Sequence, residues 1–223
     1  MDLQDAHDWI RYVLKKERGA FITPPEIDTL LHRAQMWHYN DLFDVYGKTQ
    51  KIEDALGVFS QPFTFTSTSG GLVTLPTDIT VNPCYEHLLS IYVQYYDNTL
   101  ARTRRNSIKI LSEDEIAERL NSQILEPTVT SPVGIETDKG KFQLYPETTI
   151  SGKGYYLRLP KKPVFAYTMT GRTITYNPST SVQLEWNESS MNKIMIMAVQ
   201  FAGVNLQDNT IVSFAESKNQ QDI

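Results

Sequence analysis

The chain has 223 residues, of which 40% are hydrophobic and 11% aromatic, a composition typical of a globular protein with a buried core. Its 21 basic and 26 acidic residues give a net charge of -5, which argues against a dedicated nucleic-acid-binding protein. Its one cysteine, Cys84, excludes an intramolecular disulfide and a cysteine-based zinc site within one chain. No signal peptide and no apolar run of about 18 residues is visible, so we expect synthesis in a reducing cytoplasm and no membrane association.

Helical patterns dominate the N-terminal part of the chain. Apolar residues recur at steps of three and four over Leu3–Leu14, which predicts one amphipathic helix. Thr23 and Glu26 have the spacing of a capping box around a proline at the first helical position, which predicts a long helix over Pro24–Tyr46. A short third helix is predicted over Gln50–Leu56.

A period of two residues then indicates β-structure. Phe63 and Phe65 alternate with threonines, and Gly70–Gly71 predicts a turn that leads into a second strand over Leu72–Leu75. A longer strand is predicted over His87–Tyr96, although its apolar positions also fit a helix.

Further elements follow towards the C-terminus. Ser112 and Glu115 form a second capping box, which predicts a short helix, and Gln123–Ser131 is expected to be an extended loop. A hairpin is predicted around Asp138–Gly140. Four more strands are predicted at Tyr155–Leu159, Val164–Tyr167, Thr173–Tyr176 and Val182–Trp186. Two C-terminal helices are expected, the first capped by Asn187 and the second by Asn209.

The order of these elements predicts an α+β fold, in which the N- and C-terminal helices pack as a helical bundle beside a central antiparallel β module. The bundle is expected to comprise residues 1–60 and 187–216. The β-rich module is expected to comprise residues 61–186, with a short helix near 113–121. Residues 217–223 are expected to form a polar tail.

Two short patterns resemble reactive sites but have simpler structural explanations. Gly47-Lys48-Thr49 matches the end of a phosphate-binding loop, but Leu42 replaces the required earlier glycine and a helix precedes the motif. We therefore expect a helix C-terminus there. A carboxylate cluster falls at the start of a predicted helix, where the backbone dipole favours negative charge. The members of this cluster are Glu113, Asp114, Glu115 and Glu118.

No metal-binding motif contains any of the four histidines, His7, His32, His38 and His87. Asp28 and His32 lie one helical turn apart, and we expect them to form a pair that supports the helix. His38 falls on the apolar stripe and is expected in the core. Cys84 and His87 together offer only two metal ligands. We therefore expect no catalytic residue, no cofactor and no metal.

One basic cluster stands out beside Tyr95 and Tyr96. It consists of Arg102, Arg104, Arg105 and Lys109. Such a cluster can contact the phosphates of DNA. A solvated turn, or a patch that contacts a partner subunit, is the simpler interpretation.

Several segments, taken in order, carry a resemblance to a known family. They are Glu26-Ile27-Asp28 with Ala34-Gln35, Tyr46–Gln50, Gly71–Pro76, His87–Ser90, Phe142–Pro146, Tyr156–Pro160 with Pro163, and Ser181–Trp186. Over most of Glu26 to Phe214, the chain resembles head-to-tail connector or ring proteins from phages of Bacteroidetes-type hosts, including the crAss-like phages. Adaptor proteins of short-tailed phages are similar in architecture.

The resemblance implies a non-enzymatic structural protein in the tail or neck of a virion, made in the host cytoplasm. It implies a homo-oligomeric ring, dodecameric in the related adaptors, that contacts the portal protein and neighbouring tail or ring proteins. Genomic DNA would pass through the ring without sequence-specific binding.

Two other classes of protein remain open. One is a tail-associated carbohydrate- or receptor-binding module, which would present aromatic residues on an exposed groove, whereas a connector would bury most of them. The aromatic residues in question are Tyr155, Tyr156, Phe165, Tyr167, Tyr176 and Trp186. The other class is a hydrolase whose site has no recognisable motif.

Overall fold

A computed structural model of the chain describes residues 2–18, 22–77, 84–97, 101–171 and 173–205. The helices within these ranges are α1 (Leu3–Arg18), α2 (Pro24–Asp44), α3 (Gln50–Gly57), α4 (Glu113–Leu120) and α5 (Glu188–Asn205). The predicted helix after Asn209 and the predicted tail over 217–223 lie outside the described residues.

The strands are short except for β3. They are β1 (Ser60–Thr66), β2 (Leu72–Thr74), β3 (Tyr85–Asp97), β4 (Arg102–Ser107), β5 (Lys109–Ile110), β6 (Val133–Asp138), β7 (Lys141–Tyr145), β8 (Ser151–Arg158), β9 (Tyr167–Thr170) and β10 (Thr173–Tyr176). Helices and antiparallel strands both contribute substantially, so the predicted α+β class is confirmed.

The chain forms two compact units. One comprises Met1–Val58 and Pro160–Ile223, and the other comprises Phe59–Leu159. We call them the helical unit and the β unit. The sequence had predicted one β-rich module over 61–186, whereas the structure groups residues 160–186 with the helices.

Side-chain contacts explain why residues 160–186 belong to the helical unit. The indole Nε1–H of Trp186 donates to Oε1 of Gln35 on α2, at 3.3 Å. The amide Nε2–H of the same Gln35 donates to the carbonyl oxygen of Lys161, at 2.8 Å. Both ends of the segment are thereby attached to one helix.

Two strands predicted in this segment are largely absent. Val164 and Val182 form one isolated bridge, and β9 begins only at Tyr167. The reason is that backbone N–H groups, which would have to donate to a neighbouring strand in a sheet, donate to side chains here. The N–H of Phe165 donates to Asp28, and the N–H of Ala166 donates to the hydroxyl of Ser181.

Apolar faces of three helices make the core of the helical unit. Helix α2 packs against α5, and α1 contacts both. The buried core includes Leu3, Ala6, Ile10, Leu14, Ile27, Leu31, Ala34, Ile194 and Ala198. The predicted capping box is present, because the N–H of Thr23 donates to Oε2 of Glu26 at 2.7 Å. Asn187 also caps α5 as predicted, through a bond from the N–H of Ser190 to its Oδ1.

Two four-stranded sheets build the β unit, in the orders β1-β8-β3-β4 and β2-β7-β6-β5. We call the first the long sheet. The predicted turn at Gly70–Gly71 and the predicted strand after it are present, but the strands on either side of the turn do not pair with each other, because β1 pairs with β8 and β2 pairs with β7. Gly71 turns the chain with a φ of +80°, and a Cβ there would collide with the carbonyl oxygen of Leu144. The turn therefore sends the chain from one sheet into the other.

The strand prediction over His87–Tyr96 is confirmed by β3, which pairs with both β8 and β4. Its ladder with β8 shifts register between Leu88 and Ser90. Ile91 and Val93 point into the core from this strand. The helical alternative fails because both neighbours supply backbone partners along the strand, which only an extended chain can use.

Glycines on β8 make room for two phenylalanine rings of β1. Phe63 is paired with Gly154, and Phe65 with Gly152. A Cβ at either glycine would lie 2.6 Å from a carbon of the phenylalanine ring opposite. The rings therefore lie across the glycine backbone on the core side of the long sheet. Phe65 belongs to the buried hydrophobic cluster that also contains Tyr156, and Phe63 packs against this cluster.

We expect Gly154→Ala to destabilise the protein by about 1–3 kcal/mol, because the added methyl group would lie 2.5 Å from the backbone carbonyl oxygen of Ser90 and must also displace the ring of Phe63. Chemical denaturation measures this change. The matched control is Gly57→Ala, since no atom lies within 4 Å of a Cβ at that helical glycine. The control is expected to be neutral or stabilising by about 0.4–1 kcal/mol. Equal effects of both substitutions would contradict the packing argument.

Candidate interaction site

The predicted basic cluster is divided between different surfaces of the β unit. Along β4 the side chains alternate, so Arg102 and Arg104 point to one side of the long sheet and Arg105 points to the other. Lys109 lies on β5, in the second sheet. The four cations therefore do not form a single patch. Their predicted contact with DNA or a subunit stays a prediction.

The two sides of β4 have different surroundings. Arg104 is paired across the sheet with Tyr95. On the opposite side, the guanidinium carbon of Arg105 lies 5.4 Å from the ring centroid of Tyr92, within range of a cation–π interaction. Arg105 itself is exposed.

The patterns that resembled reactive sites are part of helix termini. Gly47 has a φ of +81° just after α2, in keeping with the predicted helix C-terminus, although α2 ends at Asp44 rather than Tyr46. Glu115 accepts a hydrogen bond from the N–H of Ser112 at 3.1 Å, which completes the predicted capping box of α4. This hydrogen bond from the backbone of Ser112 is the largest of the effects that lower the pKa of Glu115. The neighbouring Glu113, Asp114 and Glu118 are exposed.

The predicted pair of Asp28 and His32 is wrong. His32 is hydrogen-bonded to Gln35 instead, with 3.1 Å between Nδ1 of His32 and Nε2 of Gln35. The partner of Asp28 is instead His7, on a different helix, at 2.9 Å between Nε2 and Oδ1. A tertiary contact has replaced the local one because the buried carboxylate needs a partner that is itself buried.

Both oxygens of Asp28 are used. Oδ1 shares the hydrogen bond with His7, while Oδ2 accepts the backbone N–H of Phe165 at 2.9 Å. The imidazole of His7 also stacks on the ring of Phe165, with 4.3 Å between centroids. His7 is fully buried, so a substrate has no access to this carboxylate–imidazole pair. Its role is to join α1, α2 and the segment that contains Phe165.

We expect Asp28→Ala to destabilise the protein by about 3 kcal/mol, because it leaves a buried imidazole and a buried backbone N–H without their acceptor. Thermal or urea unfolding measures the loss. The matched control is Asp8→Ala on α1, because that carboxylate is exposed and lies 4.0 Å from Arg11. The control is expected to change stability by less than about 0.5 kcal/mol. A similarly small effect at Asp28 would show that the carboxylate is not an anchor.

His38 is a buried histidine whose pKa is strongly lowered. Its ring lies 5.2 Å from the ring of Trp186, between centroids. Burial, followed by the charge of Lys193, lowers the pKa of His38 to about 4. The expectation that His38 belongs to the core is confirmed.

A pH dependence follows for His38. Because the unfolded chain takes up this proton near pH 6.5 and the folded protein only near pH 4, stability is lost as the pH falls through that window. The full contribution is on the order of 3 kcal/mol. We expect wild-type protein to lose that much more stability between pH 7 and pH 4 than His38→Gln, measured by urea unfolding. Parallel pH profiles of the two proteins would contradict the assignment.

A segment that follows α4 in the β unit exposes several aliphatic side chains. We call residues 120–130, from the last residue of α4 onwards, the apolar loop. Four of its aliphatic side chains are exposed: Leu120 by 45%, Ile124 by 93%, Leu125 by 58% and Val129 by 49%. Fully burying one such side chain is worth about 1.5–3 kcal/mol, so their joint exposure is unfavourable in an isolated chain.

Hydrogen bonds hold the apolar loop in a defined conformation. The hydroxyl of Ser122 accepts the N–H groups of both Ile124 and Leu125, at 3.3 and 3.1 Å. The side-chain amide of Asn106 on β4 donates to the carbonyl oxygen of Thr130, at 2.6 Å. These hydrogen bonds favour one backbone conformation of the loop, which lowers the conformational cost of docking.

The sequence predicted a loop at Gln123–Ser131 and missed its apolar surface. The sequence feature that could have indicated this surface is the aliphatic pair Ile124-Leu125, which lies among polar residues between Ser122 and Glu126. Two adjacent aliphatic residues have no helical or strand period. Only the structure shows that they are exposed.

Aromatic residues of the predicted β region are mostly covered. Tyr156, Phe165 and Trp186 are buried and Tyr176 is half-buried, while Tyr155 and Tyr167 are exposed. Cys84 is also buried. Across the described part of the chain, no group of three or more His, Cys, Asp or Glu side chains is placed to hold a metal ion. None of the helices described is long and apolar enough to cross a membrane.

No model of a known protein family matches the chain. A search of curated proteins also gives no match.

Proposed function

We propose that this protein is a non-enzymatic structural subunit of a phage head-to-tail connector ring, which links portal and tail around the DNA channel. The apolar loop is the observation that carries the proposal. Four exposed aliphatic side chains on an ordered loop are what a subunit needs in order to dock on another subunit.

A closed ring requires contacts between two different surfaces, because each subunit meets its two neighbours in the same head-to-tail manner. The apolar loop would be one of these surfaces. The helical unit offers candidates for the other, since Tyr12 on α1 and Trp37 on α2 are both exposed. In this proposal, the terminal helices form the bundle of the subunit, and the ring is dodecameric.

The aromatic residues favour the connector over a carbohydrate- or receptor-binding module. Such a module would use most of its aromatic residues on an exposed groove. Here Tyr156, Phe165 and Trp186 serve the interior. The packing of Phe165 against His7 gives this residue a structural role instead.

The decisive experiment removes the apolar side chains from the loop. We expect wild-type protein to form closed rings as its concentration rises, and the double variant Ile124→Ser with Leu125→Ser to remain monomeric with an unchanged circular dichroism spectrum. Sedimentation velocity gives the mass, and negative-stain electron microscopy shows the shape of the particles.

The matched control is the double variant Val58→Ser with Met169→Ser, which removes two exposed apolar residues that lie outside the loop. It is expected to assemble as the wild type does. Wild-type protein that stays monomeric at every soluble concentration would contradict the proposal, and so would an equal loss of assembly in the control.

A further inference from the structure

The side of the long sheet that faces away from the core is an exposed polar surface. The register places Lys153 opposite Tyr92, and Arg105 opposite Gln94, on this side. Val93, between Tyr92 and Gln94 on β3, and its partner Gly152 on β8 are buried on the core side. We call this surface the tyrosine face, and its principal side chains are Tyr92, Gln94, Tyr96, Arg105, Lys153 and Tyr155.

Aromatic rings and cations both lie on the tyrosine face. Tyr96 is 60% exposed and Tyr155 is 43% exposed. Arg105 lies over the ring of Tyr92, and Lys153 is the direct cross-strand neighbour of the same tyrosine. Neighbouring positions on such a sheet are about 5 Å apart across strands and about 7 Å apart along a strand, so one extended ligand can contact several of them.

A shallow depression of about 460 Å³ adjoins the tyrosine face at Gln94, Tyr96 and Lys153. Its lining on the side of the tyrosine face includes Thr64, Thr66, Gln94, Tyr96, Ser151 and Lys153, and Phe65, Tyr95 and Gly152 of the core side also line it. These side chains offer hydroxyl and amide groups that donate and accept hydrogen bonds. The depression is therefore open, polar and bordered by an exposed aromatic ring.

The charge of the tyrosine face is opposite to that of the whole chain. The paired stretches 64–66, 90–96, 103–107 and 151–155 contain no Asp or Glu, although the chain has a net charge of -5. The ionised groups on this side of these stretches are Arg105 and Lys153. A segregated cationic surface on an acidic protein favours an anionic ligand over a neutral one.

We propose that the tyrosine face binds single-stranded nucleic acid without sequence preference. Exposed tyrosines stack on unpaired bases, and cations beside them contact the phosphates, which is the combination that such binding requires. Duplex DNA hides the faces of its bases, so it would leave Tyr96 and Tyr155 without a stacking partner. This site is distinct from the apolar loop, and the inference does not rest on the proposed ring.

The test measures binding of a fluorescent single-stranded oligo(dT) by anisotropy over a range of salt concentrations. The site variant is Arg105→Gln with Lys153→Gln. The matched control is Arg102→Gln with Lys109→Gln, which removes two exposed cations from outside the tyrosine face. Both double variants change the net charge equally, so a general charge effect is separated from a local site.

We expect the site variant to bind oligo(dT) about 10-fold more weakly at low salt. The slope of the logarithm of the affinity against the logarithm of the salt concentration is expected to be smaller in magnitude by about 1.4, because two cations are removed. The control is expected to change affinity by less than about 2-fold. Tyr96→Ser is expected to weaken oligo(dT) binding by about 5-fold or more and to leave binding of a duplex of equal length unchanged. Circular dichroism establishes that each variant is folded.

Three outcomes would overturn the proposal. The first is absence of oligo(dT) binding by wild-type protein at low salt. The second is an equal effect of the two charge variants, which would indicate attraction without a site. The third is tighter binding of the duplex, or of an anionic polysaccharide, than of oligo(dT). None of these results depends on whether the protein forms rings.

Discussion

Burial of the Asp28 carboxylate imposes the arrangement of the helical unit. Burying a carboxylate costs several kcal/mol unless its oxygens are paired, and here both oxygens are paired. One oxygen binds His7 near the N-terminus, and the other binds the backbone of Phe165, which is 137 residues away from Asp28 in the chain. The helical unit is therefore assembled from the two ends of the chain, and the β unit is inserted between them in sequence.

In the β unit, a steric constraint has the corresponding role. Phe63 and Phe65 lie across Gly154 and Gly152, which brings the aromatic rings to the core side of the long sheet. The alternation of a strand then leaves the opposite side polar, with Lys153 between the two glycines. The same local pattern thus produces both the core and the tyrosine face.

Strand β4 connects the two surfaces for which we propose binding. Asn106 points to one side and holds the apolar loop through the carbonyl oxygen of Thr130. Its neighbour Arg105 points to the other side and lies over Tyr92. The two surfaces differ in chemistry, since one is aliphatic and the other is aromatic and cationic. Contact with subunits and contact with a nucleic acid can therefore be tested separately on one protein.

The sequence by itself predicted the α+β class and most of the local elements. The capping boxes of Thr23 with Glu26 and of Ser112 with Glu115 were found because a cap depends on residues three positions apart. The hairpin of β6 and β7 and the N-cap of α5 at Asn187 are equally local.

Only the tertiary structure decided which distant segments meet. Asp28 pairs with His7 rather than with His32, and β1 pairs with β8 rather than with β2. These choices depend on burial and on partners more than twenty residues away, about which spacing along one segment carries no information. For the same reason, the exposure of Ile124 and Leu125 could not be read from their sequence, since an aliphatic residue has the same identity in a core and on a docking surface.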